Sequence, residues 1–191
     1  MSTATLEKKQ LEQLAECICV CVKCPLHTSR TVAVPGDGST SSKFMIIGEG
    51  PGRDEDRTGH PFVGASGKYL DHVLEGSGMD RSDFFITNIV KCRPPNNRVP
   101  KAIEILTCTS NYLFKQIELV DPKMIILLGG TAVKKVLGFK SVEEARGRVV
   151  ESNGRKYMAT YHPASRFYRE DLAERIEKDF GFIRSELKKC D

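Results

Sequence analysis

Three short, almost unbroken apolar runs constrain this chain more than any other feature: Lys43-Phe44-Met45-Ile46-Ile47, Phe84-Phe85-Ile86-Thr87-Asn88-Ile89-Val90 and Lys123-Met124-Ile125-Ile126-Leu127-Leu128. Runs of this length without polar alternation read as strands covered on both faces. The segments around and between them carry helical signals: Ser66 to Glu75, a long stretch after Pro100, and a short helix to Leu137 that Thr131 is expected to cap. Lys156 to Thr160 reads as a further short strand, Thr5 to Glu16 as a helix with a stripe of Leu6, Leu11, Leu14 and Ala15, and Glu170 to Leu187 as a charged C-terminal helix. Strands alternating with helices predict an α/β fold, a three-layer α/β/α sandwich around a central, mainly parallel four-stranded sheet. At 191 residues the whole span 1–191 is expected to form one domain.

Ligands of such sheets bind beyond the carboxyl ends of the strands. Three of those ends are polar: Gly48-Glu49-Gly50-Pro51-Gly52, Thr87-Asn88 and Tyr161-His162-Pro163. Asn88 lies within an apolar strand, where its amide must find partners or bear a desolvation cost of a few kcal/mol. His162 precedes a proline, which holds it in an extended or turn conformation. The glycine-rich segment lacks a Walker lysine followed by Ser or Thr and does not match the dinucleotide fingerprint. It is also acidic, with Glu49, Asp54, Glu55 and Asp56 close together, and such a cluster repels phosphate. Glu49 sits between two glycines at a strand end, where backbone can approach a ligand closely.

No stretch approaches the roughly 20 apolar residues of a membrane helix, and the N-terminus MSTATLEKKQ lacks the apolar segment of a secretory signal, so a cytosolic chain is expected. The net charge of +4 suits a polyanion but also many other partners. Seven cysteines in a reducing compartment are ligands, reactive thiols or core residues rather than bridges. Cys21-Val22-Lys23-Cys24 is the tightest chelating pair. Spacing leaves its companions open: Cys17 shares a face with Cys21 if the first helix continues, Cys92 and Cys108 can close a site if the fold returns on itself, and Cys108 also suits a buried apolar position.

Four blocks in order resemble the family-4, iron-sulfur-containing uracil-DNA glycosylases. They are Cys21-x-x-Cys24-x-Leu26-x-x-x-Arg30; Gly48 to Asp56 continuing through Thr58-Gly59-His60-Pro61-Phe62-Val63-Gly64; Thr87-Asn88-Ile89-Val90-Lys91-Cys92-Arg93-Pro94-Pro95; and Tyr161-His162-Pro163-Ala164. The resemblance implies hydrolysis of the N-glycosidic bond between deoxyribose and uracil, leaving an abasic site and initiating base excision repair. It implies a structural 4Fe-4S cluster on Cys21, Cys24, Cys92 and Cys108, with Cys17, Cys19 and Cys190 outside the pattern. It further implies that Phe62 stacks on a flipped uracil, Asn88 pairs with its Watson-Crick edge, and the backbone of Glu49, Gly50 and Pro51 meets its carbonyl oxygens. His162 is the expected donor to the uracil oxygen, and Glu49 or Glu55 the expected carboxylate for the water.

The family's apolar wedge after His-Pro is replaced here by Ser165-Arg166-Phe167-Tyr168-Arg169, so Phe167 and Arg166 are both candidates for that role. The loop from Cys92 to Arg98 lacks the histidine of a related branch that becomes trapped on DNA, and turnover is expected. Uracil-containing DNA, double- and single-stranded, is the implied partner of a monomer that touches no membrane, with a sliding clamp a candidate recruiter. A cluster of net charge about −2 offsets much of the positive balance, so DNA affinity is expected from local cations: Lys91, Arg93, Arg98, Arg166 and Arg169. A nucleic-acid-binding module without catalysis and a metal-dependent phosphohydrolase are the competing readings.

Overall fold

The computed structural model describes residues 3–189. In chain order the main elements are α1 (Thr3–Cys19), β1 (Phe44–Gly48), α2 (Arg53–Thr58), α3 (Ala65–Gly76), β2 (Phe84–Asn88), α4 (Ala102–Cys108) and α5 (Phe114–Val120). They continue as β3 (Met124–Leu128), α6 (Gly130–Leu137), β4 (Val150–Ser152), β5 (Arg155–Thr160) and α7 (Asp171–Leu187). The five strands form one sheet in the order β2-β1-β3-β5-β4. The pairs β1–β2, β1–β3 and β3–β5 are parallel, and only the β4–β5 hairpin is antiparallel.

The apolar runs are strands because both of their faces are consumed. Met45, Ile47, Ile125 and Leu127 pack with Leu11, Ile18, Ile117 and Val133, from α1, α5 and α6. Their neighbours Phe44, Ile46, Met124 and Ile126 pack on the opposite side with Leu70, Val73, Ile176 and Phe180, from α3 and α7. Alternate side chains of a strand point to opposite faces, so each run serves two cores. The expected three-layer α/β/α arrangement is thus present. Among the described residues no helix is long and apolar enough to cross a membrane.

Four local expectations change. The sheet has a fifth strand, because Asn153 and Gly154 take positive φ (49° and 74°) and turn β4 back on β5 in a tight hairpin. The long helix after Pro100 is interrupted by a π-helical turn at Thr109–Leu113, directly after Cys108. Helix α1 stops at Cys19, so Cys21 lies off its end rather than on its face. Finally, α6 begins at Gly130 with Gly129 as N-cap, which leaves the Thr131 hydroxyl inside the first turn and free of the capping role.

Candidate active site at the strand ends

Gly48 and Asn88 are paired residues at the ends of β1 and β2. A Cβ on Gly48 would lie 2.5 Å from Asn88 Oδ1 and 2.6 Å from Phe62 Cζ. The bare backbone at this position is what lets an amide and an aromatic ring converge. Asn88 is 2% exposed, and its Oδ1 is buried without a hydrogen-bond partner among the described residues. An orphaned acceptor of this kind costs about 1–3 kcal/mol. The strand end is braced from the other side by Lys91, whose Nζ donates to the Asn88 carbonyl at 2.8 Å and to Thr87 Oγ1 at 2.5 Å.

Phe62 carries a φ of +52°, which is rare for a non-glycine residue. Such backbone persists only where its surroundings over-determine it. Arg81, anchored by Asp71 at 2.6 Å, donates to the carbonyls of Pro61 at 2.7 Å and Phe62 at 3.3 Å. Glu55 holds the same loop from its other side, accepting backbone N–H bonds from Gly52 (3.0 Å), Val63 (2.9 Å) and Gly64 (2.8 Å). Both Glu55 oxygens are therefore engaged, and the residue is buried.

The Phe62 ring stacks against His162, with centroids 5.7 Å apart and planes 28° from parallel. His162 Nδ1 accepts the backbone N–H of Ala164 at 3.1 Å, so the proton of the neutral ring must sit on Nε2. Burial pushes the imidazolium pKa down to about 4, opposed only in part by the Glu55 carboxylate. At neutral pH His162 is an uncharged Nε2–H donor. Glu49 is half-buried at the end of β1, and its Oε2 accepts the Thr131 hydroxyl at 2.5 Å.

These parts border one open cleft of about 720 Å³. Glu49, Gly50, Pro51, Glu55, Phe62, Asn88 and His162 all line it, together with Thr131, Phe167 and Tyr168. Thr131 and Tyr168 escaped the sequence reading. Thr131 looked like a helix cap and Tyr168 like one more loop residue, and only the fold brings either to the cleft. Tyr168 is the most open of the exposed large hydrophobic residues at 87%, with Phe167 beside it at 53%.

The cations expected at DNA are less free than their sequence implied. Lys91 is interior, at 1% exposure, and cannot reach a phosphate on the surface. Arg98 is held at 2.9 and 2.7 Å by both oxygens of the buried Glu104. Arg169 is bound by both oxygens of Asp171, and Arg93 donates to Asn97 Oδ1 at 2.7 Å. Arg166 lies over the Tyr69 ring, 4.1 Å from its centroid, and also within 5.5 Å of Phe167.

A second, smaller cavity lies behind the strand ends. Cys21, Cys24, Cys92 and Cys108 all line it, together with Ile18, Arg30, Lys91 and Tyr112. Three of the sulfurs already receive N–H donors: Arg30 Nη1 to Cys92 at 3.0 Å, the Lys91 backbone to Cys108 at 3.3 Å and the Lys23 backbone to Cys21 at 3.5 Å. Burial raises the pKa of Cys24 and Cys92, and that of Cys108 to about 11. Among the described residues no three potential ligands converge on a single metal ion. Cys17 and Cys19 are exposed, and Cys190 lies outside the described residues.

Comparison with known proteins gives a concordant result. Residues 35–187 match the model of the uracil DNA glycosylase superfamily. The chain is 42% identical over 184 residues to a type-4 uracil-DNA glycosylase of Archaeoglobus fulgidus, covering 92% of each chain. It is 40% identical over 185 residues to a type-4 uracil-DNA glycosylase of Thermotoga maritima, covering 92% of this chain and 96% of the relative. A type-5 uracil-DNA glycosylase of Pyrobaculum aerophilum is 33% identical over 149 residues, covering 69% of this chain and 65% of the relative.

Proposed function

This chain belongs to the uracil DNA glycosylase superfamily and is a uracil-DNA glycosylase acting in base excision repair, and from that premise we propose which residues carry the reaction. The observation that carries the reading is the buried Asn88 Oδ1 with no partner, set beside a stacked aromatic ring at the foot of the cleft. Uracil supplies what this acceptor lacks. Its N3–H donates to Asn88 Oδ1 while its O4 accepts from the same amide, and Phe62 covers one face of the ring. Cytosine presents an acceptor at N3 and a donor at C4, so it meets both atoms of this amide with the wrong polarity.

The base must leave the duplex to reach the cleft, at a cost of a few kcal/mol that is least at a mismatched U:G pair. Phe167 and Tyr168, exposed at the margin, fill the gap left in the stack. The C1′–N1 bond then breaks with both electrons passing to uracil, whose O2 gains negative charge. His162 Nε2–H donates to that oxygen from a neutral ring, since its lowered pKa leaves it without a second proton, and it keeps its own because a neutral imidazole N–H is a very weak acid. Glu49 holds the water that bonds to C1′ and takes up its proton, and its charge steadies the cationic sugar. Glu55 is assigned to bracing the loop, since its oxygens are occupied by three backbone donors.

The donor set of the second cavity, four cysteines from three segments, suits a 4Fe-4S cluster on Cys21, Cys24, Cys92 and Cys108. Donors aimed at sulfur suit a metal-bound thiolate better than a buried neutral thiol. When bound, the cluster supplies a cross-link between the N-terminal loop, the segment after β2 and α4. The reaction itself runs on side chains of the cleft.

The test is incubation of the purified protein in EDTA with labelled oligonucleotides carrying U:G, U:A or single-stranded uracil, followed by alkaline cleavage. Strand breaks at uracil alone are expected. Breaks that require added divalent cation would favour a phosphohydrolase, and binding without breaks a non-catalytic module.

A further inference from the structure

We infer that Thr131 is a positioning residue for hydrolysis, fixing the Glu49 carboxylate from the first turn of α6. The inference rests on the reading of Glu49 as the water-holding carboxylate. Glu49 follows the last residue of β1, where the backbone is leaving the sheet, and a glutamate side chain there has three torsions to settle. Among the described residues the Thr131 hydroxyl is the one donor to its carboxylate, at 2.5 Å. The hydroxyl donates and the carboxylate oxygen accepts.

The hydroxyl is available because α6 does not use it. Gly129 is the N-cap, at a φ of +89° that suits glycine, and the Thr131 side chain is turned across to β1 instead. The same turn is tied to the other half of the site. Gly129 N–H donates to the Thr160 carbonyl at 2.9 Å, and a Cβ on Gly129 would lie 3.0 Å from His162 Cβ. One short strut therefore sets the carboxylate that serves the water and abuts the histidine that serves the departing base. Its effect should fall on the rate of the chemical step and leave DNA affinity alone.

A threonine at the margin of a DNA-binding cleft has an obvious rival use, as a donor to a backbone phosphate. The two uses separate cleanly. Kinetics on a U:G oligonucleotide are measured for the wild type, Thr131→Val, Thr131→Ser, Glu49→Gln and the double variant Glu49→Gln with Thr131→Val. Loss of the positioning bond is expected to lower kcat roughly 10- to 100-fold while KM stays within about twofold. Thr131→Ser, which keeps the hydroxyl, should recover to within about threefold of the wild type. In the Glu49→Gln background, Thr131→Val should add less than about a twofold loss, because the two residues act as one unit.

An unchanged kcat in Thr131→Val overturns the inference. So does a loss confined to KM, or a loss that multiplies with that of Glu49→Gln, either of which assigns the hydroxyl to DNA or to folding. Thr131→Ala is the second hydroxyl-free variant if valine unsettles the turn, with the same outcomes attached. A Glu49→Gln enzyme as fast as the wild type refutes the reading of Glu49 itself, and is recognised before any Thr131 variant is considered.

Discussion

Replacing Gly48 with alanine is the sharpest perturbation of the site, because it adds one methyl group and touches no functional side chain chemically. The new Cβ would lie 2.5 Å from Asn88 Oδ1 and 2.6 Å from Phe62 Cζ. Ordinary contact needs roughly 3.2 Å to oxygen and 3.6 Å to carbon, so the amide must retreat by about 0.7 Å and the ring by about 1 Å. A displacement of this size in a group that positions substrate costs on the order of 100-fold in rate, or about 2.7 kcal/mol of transition-state free energy. Gly48 has no positive φ, so the backbone itself accepts alanine, and the fold should lose only the ~1–3 kcal/mol of an overpacked contact. The assay is single-turnover cleavage of a fluorescent U:G duplex, with thermal unfolding in parallel. Gly76→Ala, at the end of α3, is the control: a Cβ there meets nothing within 4 Å among the described residues, so cleavage should be unchanged and the melting temperature no lower, alanine being favoured over glycine in a helix. A Gly48→Ala enzyme that cuts within about threefold of the wild type would refute the claim that Asn88 and Phe62 must meet over a bare backbone.

Three further outcomes are expected. Asn88→Ala should lose activity by roughly 100-fold or more without a matching fall in melting temperature, because it removes a buried acceptor that nothing in the free protein satisfies; a large loss of stability would contradict that. His162 has its pKa lowered from 6.5 to about 4, so its protons are bound by the unfolded chain first. Its contribution to stability is present above about pH 6.5 and is lost as pH falls toward 4, up to on the order of 3 kcal/mol; denaturant midpoints of the wild type and His162→Gln should diverge above pH 6 and converge toward pH 4, and parallel curves would refute the assignment. Cys108→Ala should yield protein with little bound iron and a lower melting temperature, while Cys17→Ala keeps wild-type iron; equal iron contents, measured after anaerobic purification, would remove Cys108 from the ligand set.

Much of this was legible before any coordinates. The apolar runs identify the strands because a residue pattern without polar alternation leaves a strand no wet face. Their polar ends then select Glu49, Asn88 and His162, since parallel strands deliver their carboxyl ends to one edge. The proposed cysteine ligand set rests on the family's motifs, as spacing alone left Cys17 and Cys108 ambiguous. Less legible were features that depend on a competition between local partners. Thr131 next to glycines signals a cap, but Gly129 takes that role in space. Arg98 and Arg169 signal phosphate, but Glu104 and Asp171 reach them first. The β4 strand is too short to carry a period, and the π-turn after Cys108 has no composition of its own.

By itself, then, the sequence determined the layer architecture, the edge of the sheet that carries chemistry and the residue types gathered there, because these follow from periodicity and covalent order. Only the tertiary structure decided tautomer, hydrogen-bond partners and access. The backbone of Ala164 chooses the His162 tautomer, three loop amides engage both Glu55 oxygens, a hydroxyl from the first turn of α6 meets Glu49, and burial takes Lys91 away from the surface. Each of these is a hydrogen bond or a solvent boundary between residues distant in the chain, and no local pattern encodes which donor arrives first.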